Sequence, residues 1–186
     1  MLSPPDPTFR CRHCFGDVEC DRLCRQCIKA PLLDAPKAFL FETSPVSSAW
    51  RARLLQEGDG ALRQIAASLF IFQWERLQWP VPDRIAIVPN PGLTKPLCAM
   101  AQEVAEMLGK TVKKELKLQW DGPFQWRLKR CDRDLLENQS LLLIDFGSEN
   151  TWLKKALGEL WQACPSQIHI VSFFETLECS QKRKTP

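Results

Sequence analysis

Three short apolar runs constrain the fold of this 186-residue chain more than any other feature of its sequence. They are RIAIV at 84–88, LLLI at 141–144 and IHIVSFF at 168–174. Segments with helical spacing of apolar residues accompany them, at 61–77, 95–108 and 151–163. Buried strands that alternate with amphipathic helices indicate an α/β fold, with a largely parallel sheet flanked by helices on both faces.

The composition excludes several classes of protein. Hydrophobic residues make up 45% of the chain and charged residues 25%, which is typical of a folded globular protein. The net charge of +3 is too small to indicate nucleic-acid binding by itself. The sequence contains no run of 18 apolar residues, and its amino terminus lacks the apolar segment of a secretory signal. We therefore expect a cytoplasmic protein with no membrane partner.

The amino-terminal cysteines predict a metal site. Five of the nine cysteines fall between residues 11 and 27, and they include two CxxC pairs, Cys11 with Cys14 and Cys24 with Cys27. Two such pairs supply the four thiolates of a tetrahedral Zn²⁺ shell. Because protein ligands would fill all four positions, the zinc would be structural and its binding energy would serve folding. A redox pair or a disulfide-rich segment is the alternative interpretation.

The sequence predicts two domains, a zinc module with a linker at 1–36 and an α/β domain at 37–186. Within the α/β domain, we expect a strand at 38–42, a helix at 47–56 and a weaker strand at 111–118. The helix at 95–108 should end at Gly109. The helix at 61–77 should bury one face made of Leu62, Ile65, Ala66, Leu69 and Phe72.

Parallel sheets bind ligands beyond the carboxyl ends of their strands. This rule places the segments PNPG (89–92) and FGSENT (146–151) on the same edge. Asp145 ends the second apolar run, where it would contact a sugar or cap the following helix. Asn150 and Thr151 are interpreted as helix caps, and His169 as a core or edge histidine.

The order of these motifs resembles that of ComF-like (competence protein F) proteins. The resemblance rests on the four-cysteine module, the IVP strand end and the LLxID strand end that opens a helix, and it covers about residues 11–174. It implies a type I phosphoribosyltransferase-like fold, a bacterial role in competence and DNA uptake, and partners among DNA-processing proteins. In that family two adjacent acids hold ribose, and a loop rich in Thr and Gly holds the 5-phosphate of phosphoribosyl pyrophosphate, which Mg²⁺ accompanies.

The loop departs from that family pattern. Asp145 matches the first acid, and Thr151 matches a loop threonine after a shift of one residue, whereas Phe146 replaces the second acid. Glu149 would repel a phosphate charge ~4 Å away by roughly 1 kcal/mol in water and about 4 kcal/mol at an effective dielectric of 20. We therefore expect a catalytically degenerate domain that acts through interactions. The alternative is an active phosphoribosyltransferase that uses Asp145, Thr151 and Mg²⁺.

A basic and aromatic segment at 113–133 supports a third reading, a zinc-dependent protein that binds single-stranded nucleic acid. Lys129 and Arg130 would meet phosphates while Trp126 stacks on a base. The other interpretation is a solvated loop whose tryptophans anchor it to the core. The sequence leaves both open, because it does not show whether these side chains share a face.

Overall fold

A computed structural model shows six strands and four α-helices in the part of the chain that it describes. The structure describes residues 3–11, 15, 18, 35–42, 44–55, 60–88, 94–110, 117–120, 126–129, 136–147 and 150–174. The strands there are β1 (Lys37–Phe41), β2 (Arg84–Ile87), β3 (Lys117–Trp120), β4 (Trp126–Lys129), β5 (Ser140–Asp145) and β6 (Gln167–Phe174). The helices are α1 (Pro45–Leu55), α2 (Gly60–Leu77), α3 (Thr94–Met107) and α4 (Asn150–Trp161), and a short 3₁₀ turn spans Pro7–Phe9.

Four of the strands form one parallel sheet in the order β1–β6–β5–β2. The two central strands, β5 and β6, are buried at every residue after their first. Strands buried on both faces are near-continuously apolar, which is why their sequences read as runs instead of alternations. β3 and β4 form a separate antiparallel hairpin. The predicted α/β class with a parallel sheet is confirmed.

Helices cover both faces of the sheet. Successive side chains of a strand point to opposite faces, so Leu142 and Ile144 of β5 join one core layer while Leu141 and Leu143 join the other. The first layer also contains buried residues of α2 and α3, and the second contains those of α4. The sheet therefore lies between two apolar layers, which leaves its strand ends as the places for polar chemistry.

The apolar face of α2 differs from the prediction. Leu62 and Ala66 are buried as expected, but Ile65 is 46% exposed and Phe72 is 51% exposed. The helix is apolar around most of its surface, so sequence spacing does not identify the buried face. The remaining buried residues of α2 are Ala67, Phe70, Gln73 and Trp74.

The end of α3 follows the prediction. Gly109 has φ +63, a left-handed conformation that glycine adopts without steric cost. The Gly109 N–H donates to the Glu106 carbonyl at 3.1 Å, and the Lys110 N–H donates to the Ala105 carbonyl at 2.8 Å. These two bonds are the Schellman arrangement that satisfies the last carbonyls of a helix.

The amino-terminal segment, residues 3–11, forms hydrogen bonds and ion pairs with α2 and with the residue that follows β1. Gln73 donates its amide Nε2 to the Pro5 carbonyl at 3.0 Å, and Arg76 forms an ion pair with Asp6 at 3.0 Å. Arg10 forms an ion pair with Glu42, the residue after β1. The segment thus belongs to the same packed unit as the sheet.

Most of the predicted zinc module lies outside the described residues. Cys11 is described and buried, whereas Cys14, Cys24 and Cys27 fall in segments that are not. The metal site and the domain boundary at residue 36 therefore stay predictions. Among the described helices, none combines the length and the apolar character needed to cross a membrane.

Candidate functional site at the carboxyl edge of the sheet

Asp145 lies at the carboxyl end of β5 and is only 1% exposed. Its Oδ2 accepts hydrogen bonds from the Gly147 N–H at 3.0 Å and from the Ser172 hydroxyl at 3.0 Å. Ser172 is the register partner of Asp145 in the neighbouring strand β6. The carboxylate oxygen is therefore engaged by the protein itself, within a turn and across one strand pair.

Burial controls the ionisation of this carboxyl group. Desolvation raises the pKa of Asp145, and the positive charge of Lys37 together with hydrogen bonds from Gly147, Ser172 and the Phe146 N–H opposes the rise. Desolvation outweighs these stabilising groups because almost none of the side chain touches water. The Asp145 carboxylate is therefore almost inaccessible to a ligand in this structure.

Gly147 holds the loop tightly against the end of β6. Its φ is +86, and a Cβ at this position would lie 2.3 Å from the carbonyl oxygen of Phe174. Real Cβ atoms do not approach a backbone oxygen so closely, so both the conformation and the space require glycine. The backbone at Gly147 consequently packs directly against the end of β6.

Aromatic rings fill the carboxyl edge beside Asp145. The rings of Phe41 and Phe146, from the ends of β1 and β5, each lie with their centroids 5.3 Å from that of Phe174 in β6. Phe146 is 1% exposed. We call this group the edge cluster; its members are Phe41, Trp50, Phe146, Phe173 and Phe174. Apolar rings therefore lie at the ends of β1, β5 and β6, on the edge at which an α/β sheet would bind a ligand.

Helix α1 adds one cation to the edge cluster. The guanidinium carbon of Arg51 lies 5.6 Å from the Phe146 ring centroid and 5.9 Å from that of Phe174. A guanidinium over aromatic faces is attracted by their negative π surface. Arg51 thus ties α1 to the loop after β5.

The other predicted residues of this edge are only partly described. Thr151 lies in the first turn of α4, which begins at Asn150, and its side chain lies outside the description. Glu149 and the segment PNPG (89–92) also fall outside the described residues. The structure brings Asp145 and Phe146 together with β6, and the predicted contribution of the other segments stays a prediction.

The basic and aromatic positions of the hairpin separate by face. Trp126 and Lys129 both belong to β4, whereas Arg130 lies outside the described residues. In the antiparallel register, paired positions share a face and successive positions alternate. The paired backbone positions 117 with 129 and 119 with 127 therefore fall on one side of the ladder, and the paired positions 118 with 128 and 120 with 126 fall on the other.

Sequence reasoning did not identify the groups that close this edge, namely Ser172, Arg51 and the edge cluster. A signal for the cluster is present, since each of the three strands ends in or is followed directly by phenylalanine: FLF in β1, IDF at β5 and SFF in β6. The contacts of Ser172 and Arg51 depend on strand order and helix placement. The sequence alone does not specify either of them.

No protein-family model matches the sequence. No curated protein sequence matches it either. Among solved structures, the chain is similar to an allosteric regulatory enzyme of purine biosynthesis, with 16% identity and a TM-score of 0.44 over 59% of this chain. It spans only 26% of that enzyme. It is also similar to the hypoxanthine-guanine phosphoribosyl transferase of L. donovani, with 15% identity and a TM-score of 0.39, over 65% of this chain and 71% of that one.

Proposed function

We propose that this protein is a ComF-like protein whose phosphoribosyltransferase-like domain is catalytically degenerate and acts through interactions in DNA uptake. The family assignment rests on the order of the motifs along the chain, from the paired cysteines to the LLLID strand end. The partners it implies are competence or DNA-processing proteins in the cytoplasm.

One observation supports the proposal that the domain is catalytically degenerate. An enzyme of this kind needs two acids that reach the ribose hydroxyls, but Phe146 replaces the second acid and is buried in the edge cluster. Asp145, the remaining acid, is 1% exposed and accepts bonds from Gly147 and Ser172. An apolar ring offers a sugar hydroxyl no hydrogen bond, so among the described residues of this edge Phe146 supplies no second acid for ribose binding.

Titration calorimetry with phosphoribosyl pyrophosphate and Mg²⁺ tests this proposal. We expect no saturable heat, because a degenerate edge would bind neither the ribose nor the metal that accompanies the pyrophosphate. Micromolar binding that Asp145→Asn abolishes, and that the exposed-surface change Glu75→Gln leaves intact, would establish the active phosphoribosyltransferase instead.

We also propose that Cys11, Cys14, Cys24 and Cys27 hold one structural Zn²⁺. The spacing of the two CxxC pairs supports the proposal, and so does the burial of Cys11 beside the domain core. Metal analysis of the purified protein, without exposure to chelator, should find one zinc per chain. A content far below one would refute the site.

The hairpin register supports a second candidate function, contact with the phosphates of single-stranded nucleic acid. It places Lys117, Arg127 and Lys129 on one face of the ladder, apart from the tryptophan positions. Three cations on one face favour a polyanion, whereas base stacking by Trp126 would require contact with the opposite face.

Salt-dependent binding to single-stranded DNA would test the second candidate. Charge reversal of Lys129 and Arg127 should weaken binding and reduce the slope of log affinity against log salt by about one for each phosphate that the protein no longer neutralises. Trp126→Leu, on the other face, serves as the comparison variant. An affinity that does not change with salt would exclude phosphate binding by this face.

A further inference from the structure

A cavity of about 610 Å³ lies at the amino edge of the sheet, opposite the edge that holds Asp145. Its walls come from the start of β6, the end of α2 with the turn that follows, and the amino-terminal segment. This volume falls within the usual range of small-molecule pockets, roughly 300–1,000 Å³. We call it the amino-edge pocket; its walls include Arg10, Arg76, Trp79, Gln167 and His169.

An aromatic wall forms one side of the amino-edge pocket. The rings of Trp79 and His169 pack against each other with centroids 4.6 Å apart and planes tilted by 35°. Trp74 supports both from behind, with its ring edge-on to Trp79 at 5.3 Å and to His169 at 5.9 Å. The contacts among these three rings hold the wall in place, and Trp79 remains partly exposed. A supported, half-exposed indole is a surface on which a planar ring can stack.

The hydrogen-bonding character of the wall follows from His169 and Gln167. Burial lowers the pKa of His169 to about 4, so the imidazole is neutral at physiological pH. Its Nε2 lies 3.1 Å from the amide Nε2 of Gln167. An amide nitrogen only donates, so the imidazole Nε2 accepts and the imidazole proton resides on Nδ1. Gln167 is exposed at the start of β6, where its amide carbonyl can also accept.

Each of the two arginines described in the walls of the amino-edge pocket is paired with a carboxylate. Arg76 pairs with Asp6, and Arg10 pairs with Glu42. With His169 neutral, these named groups leave no net charge that would attract an ion. Burial of an unpaired charge against such a wall would carry a desolvation cost, which an uncharged ring avoids.

We propose that the amino-edge pocket binds a small, uncharged, planar heteroaromatic molecule, which stacks on Trp79 and hydrogen-bonds the Gln167 amide. The site is separate from the carboxyl edge and stands whether or not that edge binds phosphoribosyl pyrophosphate. Trp79 provides the stacking surface, Gln167 provides the polar contact, and the desolvation cost of burying an unpaired charge disfavours charged rings.

Titration of the full chain with three aromatic probes of similar size tests this site. The probes are indazole, which is neutral, benzoate, which is an anion, and benzamidine, which is a cation. The readout is the side-chain indole ¹⁵N–¹H signals of Trp74 and Trp79, assigned by substitution. We expect indazole to shift both signals saturably, with affinities for benzoate and benzamidine about tenfold weaker.

Two substitutions locate the binding within the amino-edge pocket. Trp79→Leu removes the stacking surface. Gln167→Ala removes the polar contact, and because Gln167 is exposed this substitution should not impair folding. Each substitution should weaken indazole binding about tenfold. Trp161→Leu, in the opposite core layer, is the matched control and should leave it unchanged. The proposal fails if indazole gives no saturable shift, if a charged probe binds as tightly, or if Gln167→Ala retains full affinity in a folded protein.

Discussion

The hydroxyl of Ser172 lies 3.0 Å from Oδ2 of Asp145 in the neighbouring strand, and both residues are buried. Ser172→Ala removes this donor, and we expect it to lower the free energy of unfolding by about 1–3 kcal/mol, the range for leaving a buried polar group without its hydrogen-bond partner. The loss should grow as the pH rises through the raised pKa of Asp145, because the ionised carboxylate depends most on its donors.

Urea unfolding of Ser172→Ala at several pH values measures this effect. Ser48→Ala, at an exposed position of α1, is the control and should change the free energy of unfolding little. A loss in Ser172→Ala that stays constant across pH would show that Asp145 does not change its protonation state in the folded protein over that range.

Substitution at Gly147 should be far more costly than at other glycines. Gly147→Ala would place a methyl group 2.3 Å from the Phe174 carbonyl oxygen at a φ of +86, and we expect a loss well above the ~1 kcal/mol of left-handed strain alone. Gly109→Ala, where φ is +63 but the space is open, should lose about 1 kcal/mol.

Substitution of Gly158 by alanine should stabilise the protein, in contrast to the same substitution at Gly147 and Gly109. Gly158 lies inside α4, and a Cβ there meets nothing within 4 Å, so Gly158→Ala should stabilise the protein by roughly 0.5–1 kcal/mol. Thermal unfolding of the three variants ranks them directly. Equal stability of Gly147→Ala and Gly109→Ala would show that the backbone at Gly147 does not pack closely against β6.

His169 should make the protein sensitive to acid. Its folded-state pKa is about 4 against an ordinary value of 6.5, so the unfolded chain binds more protons between these values. Stability contributed by the neutral imidazole is therefore present above pH 6.5 and is lost as the pH falls toward 4. His169→Gln should remove this dependence, and its stability relative to the unsubstituted protein should improve steadily with acidification. Parallel pH slopes of the two proteins would contradict this assignment.

The amino-terminal segment should become accessible when its contacts with α2 are removed. Arg10 is buried, and Gln73 and Arg76 hold the segment through Pro5 and Asp6. Gln73→Ala and Arg76→Met should each raise the rate of tryptic cleavage after Arg10 several-fold, up to about tenfold for a loss of 1.4 kcal/mol. Glu75→Gln, exposed on the same helix, is the control; equal rates in all the proteins would mean that these contacts do not fasten the segment.

Elements with a single clear pattern were predictable from the sequence. β5 and β6 follow from continuous apolar runs that only a doubly covered strand tolerates, and the end of α3 follows from Gly109. The buried face of α2 was not predictable, because Ile65 and Phe72 are as apolar as the residues that pack. Spacing distinguishes faces only where polar residues mark the other side.

Some features of the candidate site were predictable from the sequence and others were not. The position of Asp145 at a strand end follows from the LLLID pattern alone. Its burial does not, since it depends on Phe146 packing against Phe174 and on Ser172 across the strand pair. Those contacts require knowledge of strand order, which joins residues far apart in sequence.

The strand order also bears on how the chain folds during synthesis. The pairing of Lys37 with Ile170 makes β6 the only neighbour of β1 in the described sheet, although β1 is translated first and β6 last. Until β6 has left the ribosome, β1 lacks the strand that pairs with it in the described sheet. Pairing of β1 with β6 closes a loop of more than a hundred residues. Closing so long a loop is slow, and the unpaired strands are prone to aggregation until it closes. A chain truncated before residue 167 lacks β6. Its β1 should consequently remain unpaired, and the chain should depend on chaperones to avoid aggregation.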